Sequence, residues 1–154
     1  MTREIEVSPN LTALVDDEDF ELVCKYKWHN VGGYAQRTFR SEGKQQNWYM
    51  HRLILNFPDL PIDHINNNPL DNRKQNLRVC TIRQNQQNQK LSEKNKSGYR
   101  GVSYYKTRKK WRAVISNSDG KEVFLGYFSD PEEAAKEYDK ASMIYHGEFG
   151  RRNF

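Results

Sequence analysis

The stretch from Asp63 to Asn88, DHINNNPLDNRKQNLRVCTIRQNQQN, contains the most informative chemical pattern in the chain. It begins with a carboxylate beside an imidazole, Asp63-His64, continues through an asparagine-rich turn, and ends in a short polar helix that carries Asn85. Two segments about twenty residues apart therefore supply oxygen ligands for a hard cation and one proton acceptor. This set of groups favours metal-assisted attack of water on a phosphodiester.

Each of these side chains suggests a separate role. The oxygens of Asp63 and Asn85 suit Mg²⁺ or Mn²⁺ better than zinc. Because neighbouring residues of a strand point to opposite faces, His64 is not expected to bind the cation beside Asp63. An imidazole with an ordinary pKa near ~6.5 can instead accept a proton from water. We group Asn76 with His64 in the catalytic constellation, as a buried residue that ties the loop together through backbone hydrogen bonds.

Composition limits the architecture and the partners. A chain of 154 residues that is 36% hydrophobic and 29% charged forms one or two domains with small cores. The net charge of +5 favours a polyanion such as nucleic acid, and a solvated basic surface is an equally weighted alternative. No hydrophobic run is long enough to span a bilayer, and residues 1–10 contain no apolar signal region. We therefore expect a cytoplasmic protein, in a bacterial or phage-infected cell, without a membrane partner.

The pattern along the chain predicts an α+β protein with two domains. Residues 1–90 read as short strands with one helix, which Asp16 would cap and which would run to Lys25 with Phe20, Val23 and Cys24 on its apolar side. Residues 91–98 are polar, lack aromatic side chains, and are predicted to form a linker. Cys24 and Cys80 have no zinc-like spacing and are expected to be buried or inert thiols.

Residues 99–154 predict three strands followed by one amphipathic helix. The strands are expected at Tyr99–Tyr105, Lys110–Ser116 and Glu122–Tyr127, and the Asp130-Pro131 pair marks the start of a helix that runs to about residue 146. Strand alternation places the apolar residues of the middle strand against the helix. The opposite face is basic and aromatic, and a small sheet of this kind can enter the DNA major groove.

Four segments of the first domain, ALVDDEDFELVCKYKW, MHRLIL, DHINNNPLDNRKQNLR and TIRQNQQN, resemble the HNH nucleases. The resemblance is to the phage-type and intron-encoded homing endonucleases of the ββα-metal class and covers residues 1–90, with the metal motif at 62–88. It implies that Asp63 and Asn85 are metal ligands, His64 is the general base and Asn76 is the structural asparagine. Phosphate contacts are candidate roles for His51, Arg52 and Asn88, with packing or helix capping as the alternative for His51.

Residues 98–154 resemble the ethylene-response-factor-type DNA-binding domain of plants. The similar segments are SGYRGVSYYKTRKKWRAVI, VFLGYFSDPEEAAKEYDKAS and GEFGRRNF. Together with the basic turn beside the sheet, the resemblance predicts these DNA-contacting residues: Arg100, Ser103, Tyr105, Lys106, Arg108, Lys110, Arg112, Phe124 and Tyr127. Arg100 alone is retained among the arginines that contact bases in the plant domains, so the plant target sequence does not transfer.

The resulting hypothesis is a metal-dependent, site-specific DNA endonuclease of the homing type, belonging to a mobile element. It would act as a monomer on double-stranded DNA, nick one strand, and leave 3′-hydroxyl and 5′-phosphate ends. Two alternatives remain. One is a non-catalytic DNA-binding transcription regulator whose nuclease half has lost activity, and the other is an RNA-binding protein.

Overall fold

Ten short strands in four antiparallel sheets, together with four α-helices, make up the fold. The computed structural model describes residues 1–154. The chain divides into two compact units, Met1–Asn85 and Gln86–Phe154, and the predicted linker at residues 91–98 lies inside the second unit. None of the helices is long and apolar enough to cross a membrane.

The first unit contains three of the sheets. Its strands are β1 (Thr2–Ser8), β2 (Leu11–Asp16), β3 (His29–Val31), β4 (Tyr34–Ser41), β5 (Lys44–Tyr49), β6 (Ile62–His64) and β7 (Leu77–Val79). Its helices are α1 (Asp17–Val23), α2 (Met50–Ile54) and α3 (Ile82–Asn88), the last of which extends past the unit boundary. The sheets pair β1 with β2, β3 with β4 and β5, and β6 with β7.

A single small core holds the first unit together. Alternate apolar residues of β1 and β2 pack with Trp28, Ala35 and Met50. Trp28 is 2% exposed and donates from Nε1 to the carbonyl oxygen of Val23 at 2.9 Å, so its polar atom is satisfied. Burial of each large apolar side chain contributes about 1.5–3 kcal/mol, and this core supports β6, which carries Asp63 and His64.

The first helix differs from the sequence prediction at both ends. Asp16 does not cap α1 with its side chain, because its Oδ2 accepts a hydrogen bond from the backbone N–H of Lys74 at 2.7 Å. The helix ends at Val23, not at Lys25, because the chain turns there to bury Trp28. Cys24 therefore lies beyond the buried face and is exposed, so of the two alternatives, buried or inert, burial does not hold for it, whereas Cys80 is buried.

The second unit is a three-stranded sheet packed against one helix. Its strands are β8 (Val102–Tyr105), β9 (Lys110–Ser116) and β10 (Glu122–Phe128), with β9 in the centre, and its helix is α4 (Pro131–Tyr145). Asp130 caps α4 by accepting from the backbone N–H of Glu133 at 3.4 Å. The side chains that join the two layers are Val102, Ala113, Ile115, Ala134, Ala135, Tyr138 and Ala141.

Two local features of this sheet depart from simple strand alternation. The first strand begins at Val102 because Gly101 has a φ of 71°, and a Cβ there would lie 2.0 Å from the ring of Tyr138. A bulge between Phe124 and Gly126 shifts the register of β10 by one residue. Tyr127 consequently emerges on the same face as Phe124, where their ring centroids are 4.9 Å apart.

Candidate active site and DNA-binding face

The short β6–β7 hairpin positions the two central residues of the motif on opposite sides. Asp63 pairs in register with Arg78 on β7, and His64 pairs with Leu77. Both side chains are buried, with 4% of Asp63 and 6% of His64 exposed. The Asp63 carboxylate contacts Arg78, whereas the His64 ring packs against Tyr34 and His51. Alternation along the strand therefore separates a charged group from a potential proton acceptor.

The carboxylate of Asp63 forms a nearly buried ion pair with Arg78. Oδ2 of Asp63 accepts from Nε at 2.9 Å and from Nη2 at 2.7 Å. The side chains are 5% and 12% exposed, so little water screens the pair. A cation bound to Asp63 would share or displace this contact, and Arg78 is thus the side chain that competes most directly with a metal.

Cys80 is a buried thiol between β7 and α3. Burial raises the pKa of Cys80, and the Asp63 charge raises it further, whereas Arg78 and the backbone N–H of Asn85 act in the opposite direction. The two oxygen-bearing residues proposed as ligands lie on β6 and on α3. A carboxylate and an amide oxygen fit Mg²⁺ or Mn²⁺, with water and phosphate oxygens completing the coordination. No group of three or more His, Cys, Asp or Glu side chains is placed to hold a metal by itself.

His64 is held by a buried amide and by aromatic rings. Its Nε2 lies 3.3 Å from Oδ1 of Asn72, and its ring centroid is 5.0 Å from that of His51 and 5.9 Å from that of Tyr34. Burial lowers the pKa of His64, and its hydrogen bond to Oδ1 of Asn72 and the charges of Asp63 and Asp71 partly offset this effect. The imidazole is therefore neutral near neutral pH and chemically able to accept a proton.

The residues suggested for phosphate contacts occupy buried or structural positions. His51 stacks on Tyr49 with ring centroids 5.6 Å apart, and burial lowers its pKa to about 3. Arg52 donates to the carbonyl oxygens of Pro58 and Leu60 and so holds the loop after α2. Asn88 is buried at the end of α3. A cleft of about 300 Å³ opens beside His51 and Arg52.

Asn76 connects the two ends of the asparagine-rich loop. Its Oδ1 accepts from the backbone N–H of Asn66 at 2.9 Å, and its Nδ2 donates to the carbonyl oxygen of Asp71 at 2.7 Å. The carboxylate of Asp71, 2% exposed, accepts from Arg73 and from Nδ2 of Asn66. The loop behind His64 is therefore fixed by its own side chains.

Sequence reasoning missed three residues around His64, namely Tyr34, Asp71 and Asn72. Tyr34 lies thirty positions earlier in the chain, and nothing in its local sequence connects it to the motif. Asp71 and Asn72 lie inside the loop, where four other asparagines lie between Asp63 and Asn85. Burial distinguishes Asp71 and Asn72 from most of the other polar residues of the loop. This burial depends on contacts between β2 and the loop, which the local sequence does not show.

The open face of the second unit carries an aromatic and basic cluster. Ser103, Arg112 and Tyr127 are adjacent across the three strands. The ring of Tyr127 lies 5.4 Å from that of Tyr105, and the Arg108 guanidinium lies 4.9 Å from the Tyr127 centroid. Lys106 and Lys110 are exposed at the adjoining turn, and Phe124 is 52% exposed. Exposed rings beside positive charges are suited to contact with nucleic acid.

Two arginines of this unit already have partners in the same chain. Arg112 donates to the carboxylate of Glu122. Arg100 is half-buried, and its guanidinium donates to the carbonyl oxygen of Gln89, while its backbone N–H bonds Oδ1 of Asn153 at 2.7 Å. Arg100 therefore lies apart from the Ser103–Arg112–Tyr127 row, so base contact by Arg100 would require its guanidinium to leave Gln89.

Comparison with known proteins gives a match for each part of the chain. Residues 49–87 match the family model described as HNH endonuclease. The chain is 31% identical over 150 residues to an uncharacterized HNH endonuclease of Acanthamoeba polyphaga mimivirus, covering 92% of this chain and 74% of the relative. The chain belongs to the HNH endonuclease family. It is also 39% identical over 90 residues to Protein 3.8 of Escherichia phage T7, covering 58% of this chain and 73% of that protein.

The second unit of this HNH family member contains an AP2 domain. Residues 97–148 match the AP2 family model. A stretch of 59 residues is 41% identical to an AP2-like ethylene-responsive transcription factor of Oryza sativa subsp. japonica, which is 38% of this chain but only 9% of the rice protein. The similarity to plant proteins is thus confined to this one domain, and the chain combines an HNH module with a DNA-binding AP2 module.

Proposed function

We propose that this HNH protein is a metal-dependent DNA endonuclease that hydrolyses a phosphodiester and leaves 3′-hydroxyl and 5′-phosphate ends. The observation that carries the proposal is the position of His64. Its buried imidazole follows Asp63 on β6 and is held by Asn72, Tyr34 and His51. A proton acceptor that follows a hard oxygen ligand suits metal-assisted hydrolysis, and we propose Asn85 on α3 as the second ligand.

The proposed chemistry divides between His64 and the two oxygen ligands. His64 accepts a proton from the water that attacks phosphorus, the bond between phosphorus and the 3′ oxygen breaks, and the 3′ oxygen takes a proton from solvent. Asp63 and Asn85 would hold Mg²⁺ or Mn²⁺, and a cation there would supply positive charge for the phosphate and the leaving 3′ oxygen. Asn76 keeps the loop closed behind His64 and touches no reacting atom in this scheme. The proposed nuclease domain comprises residues 1–90, and the proposed DNA-recognition domain comprises residues 99–154.

The AP2 unit is proposed to supply DNA recognition. The exposed face around Arg112, Phe124 and Tyr127 offers rings and positive charge to double-stranded DNA, with Lys106, Arg108 and Lys110 placed for phosphates. A homing-type, site-specific nuclease needs a surface that distinguishes base sequences, and we propose this exposed face for that role. One His64 centre per chain further implies that a monomer nicks one strand at a time.

A second candidate function, a non-catalytic DNA-binding regulator, is favoured by one specific contact. Arg78 occupies Oδ2 of Asp63 through two hydrogen bonds, and a permanent ion pair of this kind would exclude a metal. The plant proteins similar to the AP2 unit are named as transcription factors, which agrees with a binding-only role. The two functions differ in one outcome, namely whether DNA is cut.

Cleavage-site mapping on a genomic DNA library tests the proposal. We expect recurrent breaks in Mg²⁺ that are absent in EDTA, with ends that accept adaptors requiring a 5′-phosphate and a 3′-hydroxyl. DNA that is bound at recurrent sites yet remains intact in Mg²⁺ and in Mn²⁺ would support the regulator.

A further inference from the structure

Asn72 is a completely buried residue that faces the imidazole of His64. Its side chain is 0% exposed, and its Oδ1 lies 3.3 Å from Nε2 of His64. Burial of an amide costs free energy unless its groups form hydrogen bonds. The hydrogen bonds of Asn72 therefore show which way its amide is oriented.

Backbone contacts fix the orientation of the Asn72 amide. Nδ2 of Asn72 donates to the carbonyl oxygen of Leu70 at 3.3 Å, which turns Oδ1 towards His64. The backbone N–H of Asn72 donates to Leu14 at 2.8 Å, and that of Leu14 donates to Leu70 at 2.7 Å. Asn72 is therefore anchored to β2, which belongs to the core of the first unit.

The orientation of Asn72 determines which nitrogen of neutral His64 carries the proton. An amide oxygen can only accept a hydrogen bond, so Nε2 of His64 must be the donor. Nδ1 is then the nitrogen with the lone pair. Contacts of the His64 ring with Tyr34 and His51 further restrict its rotation.

We propose that Asn72 is a positioning residue that holds His64 in the Nε2–H tautomer, so that Nδ1 is the atom that accepts the proton from water. This inference rests on the proposed function for its catalytic meaning. Its structural content, the tautomer and its dependence on Asn72, can be measured in the protein without DNA.

The tautomer can be read by long-range ¹H–¹⁵N correlation on the full chain labelled with ¹⁵N-histidine. Four histidines are present, and His64 is assigned by its loss in His64→Gln. We expect the Nε2–H form in the wild type and in Asn72→Asp, which keeps an oxygen acceptor. Asn72→Ala should give a mixture of tautomers. Asn68→Ala is the matched control, because Asn68 lies in the same loop and accepts from Leu70 N–H without a contact to His64.

Single-turnover cleavage supplies the functional test of positioning. Asn72→Ala should lower the rate about 10²-fold with the DNA KM nearly unchanged, because misorientation of a catalytic group affects the chemical step. Asn72→Asp should recover most of that loss.

An Nδ1–H tautomer of His64 in the wild type would overturn the inference, and this outcome does not depend on any Asn72 variant. A folded Asn72→Ala protein with wild-type tautomer and rate would overturn it as well. If the wild type never cuts DNA, the proposed nuclease function fails, while the spectrum still decides the role of Asn72.

Discussion

Asp63 and Arg78 face each other across β6 and β7, and Nε and Nη2 of Arg78 both donate to the same carboxylate oxygen, Oδ2. Arg78 is therefore the counter-ion of Asp63, the proposed metal ligand. In the metal-free protein Arg78 neutralises Asp63, and a bound cation would take over part of that role.

Replacement of Arg78 by alanine should destabilise the metal-free protein and make its stability depend on metal. Loss of one partner of a nearly buried ion pair leaves an uncompensated charge, for which we expect about 3 kcal/mol. Addition of Mg²⁺ or Mn²⁺ should raise the melting temperature of Arg78→Ala by more than it raises that of the wild type, because a bound cation would neutralise Asp63. Differential scanning calorimetry with and without metal measures both effects.

The control for Arg78→Ala is Arg3→Ala, which removes an ion pair with Asp17 whose side chains are about half exposed. It should change stability by less than about 1 kcal/mol. If Arg78→Ala melts like the wild type and shows no larger response to metal, the competition between Arg78 and a cation for Asp63 is disproved.

Asp71 should make the stability of the first unit dependent on pH in the acid range. Its hydrogen bonds with Arg73 hold the pKa of this carboxyl below its usual value of 3.8. A lowered folded-state pKa contributes stability that is complete above the unfolded value. The contribution is then lost as the pH falls from there towards the folded-state pKa. Asp71→Asn should therefore be less stable than the wild type at pH 7, and the two should converge in strong acid.

Urea unfolding of the two proteins between pH 7 and pH 2 tests this expectation. A constant difference between Asp71→Asn and the wild type over the whole range would show that the Asp71 charge is not involved.

Glu122 should weaken DNA binding by the AP2 unit, because its carboxylate holds Arg112 on the exposed face. Glu122→Gln should tighten DNA binding a few-fold, since it removes a negative charge and releases the guanidinium. Arg112→Ala should weaken binding and lower the salt dependence by about one counterion. Fluorescence anisotropy of labelled duplex at several salt concentrations measures both changes.

Lys140→Ala serves as the charge-matched control for Arg112→Ala. Lys140 is exposed on α4 and pairs with Glu137, away from the open face of the sheet. Equal losses of affinity in the Lys140 and Arg112 variants would indicate general attraction to DNA and not a defined binding face.

Each chain has one proposed catalytic site around His64, so we expect a monomer to cut one DNA strand per encounter. On supercoiled plasmid that carries a target site, open circles should accumulate first, at a rate linear in protein concentration. Linear DNA should appear late. Prompt linear product without an open-circle intermediate, together with a dimer by light scattering, would imply paired active sites.

Local signals in the sequence were sufficient for several elements of the fold. The Asp130-Pro131 pair marks the start of α4, where Asp130 accepts the capping hydrogen bond. Asn67 adopts a φ of 58°, as expected for an asparagine in a turn. Alternation in β9 correctly placed Ala113 and Ile115 in the core. The cap and the turn each depend on residues close together in the chain, and the alternation in β9 is itself a local pattern.

The features that were not predicted depend on contacts between distant segments. The bulge in β10 moves Tyr127 to the face that alternation assigns to Gly126, and only the pairing with β9 reveals it. The partner of Asp63 is set by the β6–β7 register, and the position of His51 beside His64 is set by packing between α2 and β6. The sequence therefore indicated chemical groups, but not the contacts that orient them.

The measurement that tests the central proposal most directly compares plasmid cleavage by the wild type and His64→Ala in Mg²⁺ at neutral pH, with duplex binding measured in parallel. Loss of the general base should slow cleavage about 10²–10⁴-fold and leave DNA affinity unchanged. His29→Ala, which changes an exposed histidine on β3, should cleave like the wild type. Equal cleavage by wild type and His64→Ala, or no cleavage by a wild-type protein that binds DNA, would contradict the assignment of His64 as the catalytic base.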